Sequence, residues 1–166
     1  PAVITGCCDD RAAFSAPTIS WSVADLAQRL SPDTKLSIDG GPSFARESMC
    51  MGRVTMSDYG SYCHQGAADD TAPLYLFDPD VLKANFAGGS PVSDEFTIPP
   101  CVAHDAMAGL TGSRFRPLPP AWLLVGVDRS GTPIHDHPFF VAWNALLVGC
   151  KIWCCFAPDV DENVLL

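Results

Sequence analysis

Apolar positions along the first half of the chain recur with two different periods. Val23, Leu26 and Leu30 share one helical face, Ser20 or Ser22 can cap it, and Ser31-Pro32 ends it. Residues 34–38 alternate as a strand does, and Gly40-Gly41-Pro42 breaks the run. Residues 2–5 form a short β-type run closed by Gly6. Residues 53–56 are β-like, and Ser57-Asp58 opens a second short helix through Tyr59, Tyr62 and Cys63. PLYLFD at 73–78 is a compact apolar strand, and 80–86 has the length of one or two helical turns. Residues 88–120 are rich in Pro and Gly and read as a long surface connection with a short helix at 102–110. Then come AWLLVGV at 121–127, a core strand, and two longer apolar runs. Residues 139–148 are apolar except for Asn144, residues 150–156 except for Lys151, and Gly149 lies between them. That pattern predicts a β-hairpin buried on at least one face. The expected order is helices and strands mixed, then strands alone, with no internal repeat.

Composition narrows the class. The 166 residues suffice for one domain with a real core. With 48% hydrophobic and 17% charged residues, disorder is excluded. A formal net charge of −9 argues against non-specific nucleic-acid binding and permits a basic protein or peptide as partner. No run of 18 apolar residues and no signal peptide are visible, so an intracellular place, nucleus or cytoplasm, is expected, without membrane association. Eight cysteines lack C-x-x-C spacing, since Cys7-Cys8 and Cys154-Cys155 are adjacent, and they read as reduced buried thiols. The chain starts at Pro1 and ends on Asn163-Val-Leu-Leu166 without a clear stop, as expected of a piece of something longer.

The candidate chemistry lies in RSGTPIHDHPFFVAWNALLVGCKIW, residues 129–153. In a strand His135 and His137 point to one face and could grip a metal ion while Asp136 points away. If the strand bulges, His135 and Asp136 supply an imidazole and a carboxylate instead. Imidazoles suit Fe(II), Zn or Cu, and two histidines with a carboxylate suit a non-haem Fe(II) oxygenase. A lysine or asparagine inside an apolar strand is costly unless paired, which makes Lys151 and Asn144 candidate contacts for an anionic small molecule beside the metal. His64 and His104 have no ligand-spaced partners and read as exposed, and Asp9-Asp10 and Asp69-Asp70 as solvated loop charges. Gly88-Gly89-Ser90 is no phosphate loop, since no Gly-Lys-Ser/Thr follows.

PLYLFD at 73–78, Arg116-Pro117, S-G-T-x-x-H from Ser130, A-W-N-A-L from Ala142 and G-x-K-x-W from Gly149 together resemble the JmjC-domain Fe(II)- and 2-oxoglutarate-dependent oxygenases. The likeness is greatest to the branch with the bifunctional arginine demethylase and lysyl hydroxylase, and it covers nearly the whole chain. It implies a mainly β fold with flanking helices, a double-stranded β-helix or cupin-like jelly roll. Residues 1–166 would be a single JmjC/cupin-like domain, with 1–120 the N-terminal helical and strand region and 121–166 the first core strands. It further implies His135 as the first iron ligand and Lys151 as the ion-pair partner of the distal carboxylate of 2-oxoglutarate. Thr132, Asn144 and Tyr75 would add hydrogen bonds to that cosubstrate. Trp143 and Trp153 are expected to be core packing.

Two departures qualify the implied site. The family has His-x-Asp, where this chain reads His135-Asp136-His137, so the second ligand is either Asp136 or His137. The family's remaining histidine lies well beyond the lysine, and the fifteen residues after Lys151 contain no His. The implied domain therefore lacks its C-terminal strands and its last ligand. Two readings follow. One is an oxygenase that hydroxylates or demethylates a protein side chain, with little activity expected of this stretch alone. The other is a degenerate, non-catalytic protein-interaction domain.

Overall fold

The computed structural model describes residues 21–40, 52–95, 98, 102–116, 121–135, 142–161 and 163. The expected strand at 2–5, and the segments holding Asp136 and His137, lie outside them.

Helix α1, Val23–Arg29, starts where Ser22 caps it, the Ser22 hydroxyl accepting from the Asp25 N–H. Leu26 and Leu30 are buried on its inner face. Helix α2, Met56–Gln65, begins one residue earlier than Ser57 would place it. Thr55 and Asp58 form a reciprocal capping box there, satisfying two N–H groups that a helix start otherwise leaves orphaned.

Four strands form one antiparallel sheet in the order β2-β1-β3-β4, with β1 at Leu36–Gly40, β2 at Gly52–Val54, β3 at Leu74–Asp78 and β4 at Leu123–Gly126. The register pairs Ile38 with Leu76, and Tyr75 with Gly126. Strand alternation then sorts the two faces. Leu36, Leu76 and Leu123 join Leu26, Leu30, Met56, Tyr59, Val81, Phe86 and Val92 in the core between sheet and helices. Tyr75, Phe77, Leu124 and Gly126 belong to the opposite face, where Phe77 packs on Trp122 with ring centroids 4.4 Å apart. Asp78, 1% exposed, ends β3 as a buried carboxylate that accepts the N–H groups of Ser37 at 2.8 Å and Asp80 at 2.9 Å. Two N–H donors offset its desolvation.

Residues 81–83, 92–95 and 108–110 are single 3-10 turns, the last of which is what the helix expected at 102–110 amounts to. Arg29 ties this connection to α1 by bonding both Asp25 and Glu95 while its guanidinium lies 4.2 Å from the Phe86 ring centroid.

The second half departs from the pattern. Within 121–127 only Leu123–Gly126 forms a strand, and only Leu123 of it is buried. No strand is found among the described residues of 142–156, so the expected buried hairpin is corrected to two segments without strand structure joined at Gly149, whose φ of 85° makes the turn. Leu146, Leu147, Val148, Ile152, Trp153 and Phe156 are exposed, Ile152 by 84%. Apolar content alone does not make a strand. The backbone needs a ladder partner and the side chains a covering layer, and among the described residues this segment joins no strand ladder and leaves those side chains exposed. The architecture is thus a small antiparallel sheet with two helices on one face, compatible with part of a JmjC or cupin fold.

Candidate functional site

β3 delivers Tyr75 to the face of the sheet away from the helices, and the chain returns after Gly149 to place Lys151 over it. The Lys151 ammonium donates to the Tyr75 hydroxyl at 3.1 Å. It also stands 4.7 Å from the Trp153 ring centroid and 5.7 Å from that of Tyr75. The Trp153 ring and the Tyr75 phenol oxygen thus hold a cation that the sequence sets in an apolar run, Tyr75 meeting it at its hydroxyl edge. With one ammonium proton given to Tyr75, the others and the phenol's own proton can donate to a further acceptor. An acceptor-only group such as a carboxylate matches that pair.

The turn from β4 toward His135 is fixed by residues that the sequence reading passes over. Arg129 adopts φ 69°, a left-handed conformation rare outside glycine. Its guanidinium spans the gap to the loop after α2, donating to the carbonyls of Ala67 at 3.3 Å, Ala68 at 3.0 Å and Asp70 at 3.0 Å. The Ser130 hydroxyl donates to the Val127 carbonyl at 2.7 Å. The signal available in the sequence was an arginine two residues after an apolar run, which points to no one partner. Asp70, expected as a solvated charge, instead accepts from Ala72 N–H at 2.9 Å and Tyr62 hydroxyl at 2.9 Å, and these bonds hold its carboxyl below the ordinary carboxylate range.

His135 lies exposed beyond this turn, with its ring Nδ1 2.7 Å from the Pro133 carbonyl. A carbonyl only accepts, so in a neutral imidazole this contact puts the proton on Nδ1 and the lone pair on Nε2. Metal-bound histidines commonly carry this outer hydrogen bond, and the donor type suits iron. Among the described residues no group of three or more His, Cys, Asp or Glu side chains could hold a metal ion. Asp136 and His137, the two candidates for the second ligand, fall outside them.

Of the residues expected around the cosubstrate, Tyr75 and Lys151 are brought into contact, whereas Thr132 and Asn144 are exposed. Asn144 therefore carries no burial cost. Trp153, expected in the core, is 58% exposed and serves as a wall for the Lys151 ammonium, while Trp143 is half-buried. His64 and His104 are exposed, as expected. Cys63 is half-buried, and burial pushes its thiol up; Cys150, Cys154 and Cys155 are free but exposed, not buried. They ride on the segment whose apolar pattern had suggested a hairpin. A cleft of about 250 Å³ lined by Leu30, Pro32, Thr55, Met56 and Ala87 shares no lining residue with the candidate site.

Sequence comparison decides the relationship. The chain is 31% identical over 164 residues to the arginine-specific demethylase JMJ22 of Arabidopsis thaliana, covering 96% of this chain and 27% of that protein. It is 29% identical over 167 residues to the bifunctional arginine demethylase and lysyl-hydroxylase psr-1 of Caenorhabditis elegans, covering 99% of this chain and 38% of that protein. The lysine-specific demethylase JMJ21 of Arabidopsis thaliana matches at 26% identity over 95% of this chain and 15% of its own length. The chain is a homologue of the JmjC demethylases and hydroxylases. It spans well under half the length of these relatives. No family model matches the chain, and no solved structure does. Among the described residues no helix is long and apolar enough to cross a membrane.

Proposed function

We propose that this JmjC homologue contributes the 2-oxoglutarate-binding wall and the first iron ligand of an oxygenase acting on a protein side chain by hydroxylation or demethylation. The Lys151–Tyr75 contact carries the reading. Two residues 76 apart in the chain, each assigned to one cosubstrate by family resemblance, meet on one face of the sheet. The names of the relatives, demethylases and a lysyl-hydroxylase, support a protein substrate.

In this account Lys151 pairs with the distal carboxylate of 2-oxoglutarate, and Tyr75 both orients the ammonium and gives its own proton to the same group. The jelly-roll context, with Thr132 and Asn144 adding hydrogen bonds, is part of the proposal. His135 would hold Fe(II) through Nε2, with Asp136 or His137 as the second ligand. Bound iron and 2-oxoglutarate supply O₂ activation coupled to decarboxylation to succinate and oxidation of a substrate C–H bond. The chain's own part is positional: Arg129 braces the turn, the Pro133 carbonyl holds the imidazole tautomer, and Trp153 shields the ammonium from water.

The test is the iron content of the protein purified anaerobically and loaded with Fe(II). His135→Ala is expected to lose the stoichiometric iron of the wild type. Retention of one iron per chain in that variant would move the ligand set elsewhere.

A further inference from the structure

We infer that Gly126 is a positioning residue whose missing Cβ is the seat of the Tyr75 ring, so that this glycine sets where the Lys151–Tyr75 donor pair stands; its consequence for cosubstrate rests on the oxygenase reading above. The register places Gly126 directly across from Tyr75 at the end of β4. A Cβ built there would lie 2.9 Å from Tyr75 Cε2, 3.0 Å from Tyr75 Cδ2 and 2.5 Å from Ser130 Oγ. Side-chain carbons do not approach that closely, so one of the neighbours must move.

Neither moves freely. The Tyr75 ring is only 6% exposed, and its hydroxyl is held by Lys151. Ser130 Oγ is tied to the Val127 carbonyl. An aromatic ring laid over a cross-strand glycine is a recurrent sheet device, and a glycine within a strand often marks such a close approach. The clash would fall on the Cδ2–Cε2 edge of the ring, and the hydroxyl lies beyond that edge. A small tilt at the contact is therefore amplified at the oxygen that Lys151 reaches. Gly126 thus joins two elements that the sequence separates: the ring on β3 and the Ser130 turn that leads to Thr132 and His135.

The test isolates the ring from the serine. Ser130→Ala removes the nearer obstacle, and Gly126→Ala is then added in that background. Two readouts are taken: the nuclear Overhauser contact between the Lys151 ε-protons and the Tyr75 ring, and 2-oxoglutarate affinity by calorimetry. The added alanine is expected to abolish the contact and to weaken affinity by about tenfold, roughly the loss of one good hydrogen bond to the ligand. With Tyr75→Leu also present, adding Gly126→Ala should leave affinity where it was, because no ring remains to displace. An intact contact with unchanged affinity overturns the inference. So does an equal affinity loss with and without the Tyr75 ring, which would mark general distortion of β4. Tyr75→Phe separates the two claims. Unchanged 2-oxoglutarate affinity in that variant sinks the oxygenase reading of the pair, while the Overhauser contact still decides the role of Gly126.

Discussion

The Tyr59 hydroxyl of α2 lies 2.9 Å from the Val125 carbonyl of β4 and 3.0 Å from the Leu74 carbonyl of β3. One buried phenol therefore pins the helix layer to two adjacent strands, next to the positions where Tyr75 and Gly126 face each other. Burial pushes its ionisation far above the usual tyrosine range, so the group stays a donor at any working pH.

Tyr59→Phe keeps the ring and removes the one hydroxyl proton that the Leu74 and Val125 carbonyls share. The expected cost is about 1–3 kcal/mol in stability by urea denaturation, with an unchanged slope. A loss below about 0.5 kcal/mol would mean that water replaces the hydroxyl.

Arg129 links the turn before His135 to the loop after α2 through three carbonyls, all met by one terminal guanidinium nitrogen, Nη2, which stands one bond further from the backbone than a lysine ammonium. Arg129→Lys should lower Fe(II) affinity measurably while lowering stability by only about 1 kcal/mol. Iron affinity equal to the wild type's would show that the turn keeps its shape without the brace.

Stability should fall in acid. The Thr55 hydroxyl and backbone hold Asp58 below the ordinary carboxylate range; Ala72 N–H does so for Asp70, and Met107 N–H with Arg116 for Asp105. A carboxyl depressed in the folded state stabilises fully above its unfolded value, about pH 4, and loses that contribution as the pH drops through the folded value. Thermal midpoints should therefore be flat from pH 7 to 5 and fall below about pH 4. Asp58→Asn should flatten part of that fall. An identical acid limb in the variant would remove Asp58 from the account.

The sequence was informative where local chemistry settles the structure. Ser22 and the 3.6-residue spacing of Val23, Leu26 and Leu30 define α1, and the short apolar run at 73–78 defines β3. It was misleading at 142–156, because strand formation there depends on a ladder partner, which residue pattern does not specify. The same limit applies to the site. Lys151 stood out as a cation in an apolar run, and it touches Tyr75, which the resemblance assigns to the same cosubstrate. The Trp153 wall, the Gly126 seat and the Arg129 brace arise from tertiary placement, with no periodic signal to reveal them. Asn144 looked buried for the same reason that the hairpin did.

The central claim is that the Lys151 ammonium, set on Tyr75, is the receptor for a dicarboxylate, and calorimetric titration of 2-oxoglutarate into the iron-loaded wild type and Lys151→Ala tests it most directly. Removing a charge-assisted pair worth roughly 3 kcal/mol should weaken binding by about a hundredfold, with the far-ultraviolet dichroism unchanged. Equal affinities in the two proteins would contradict the account.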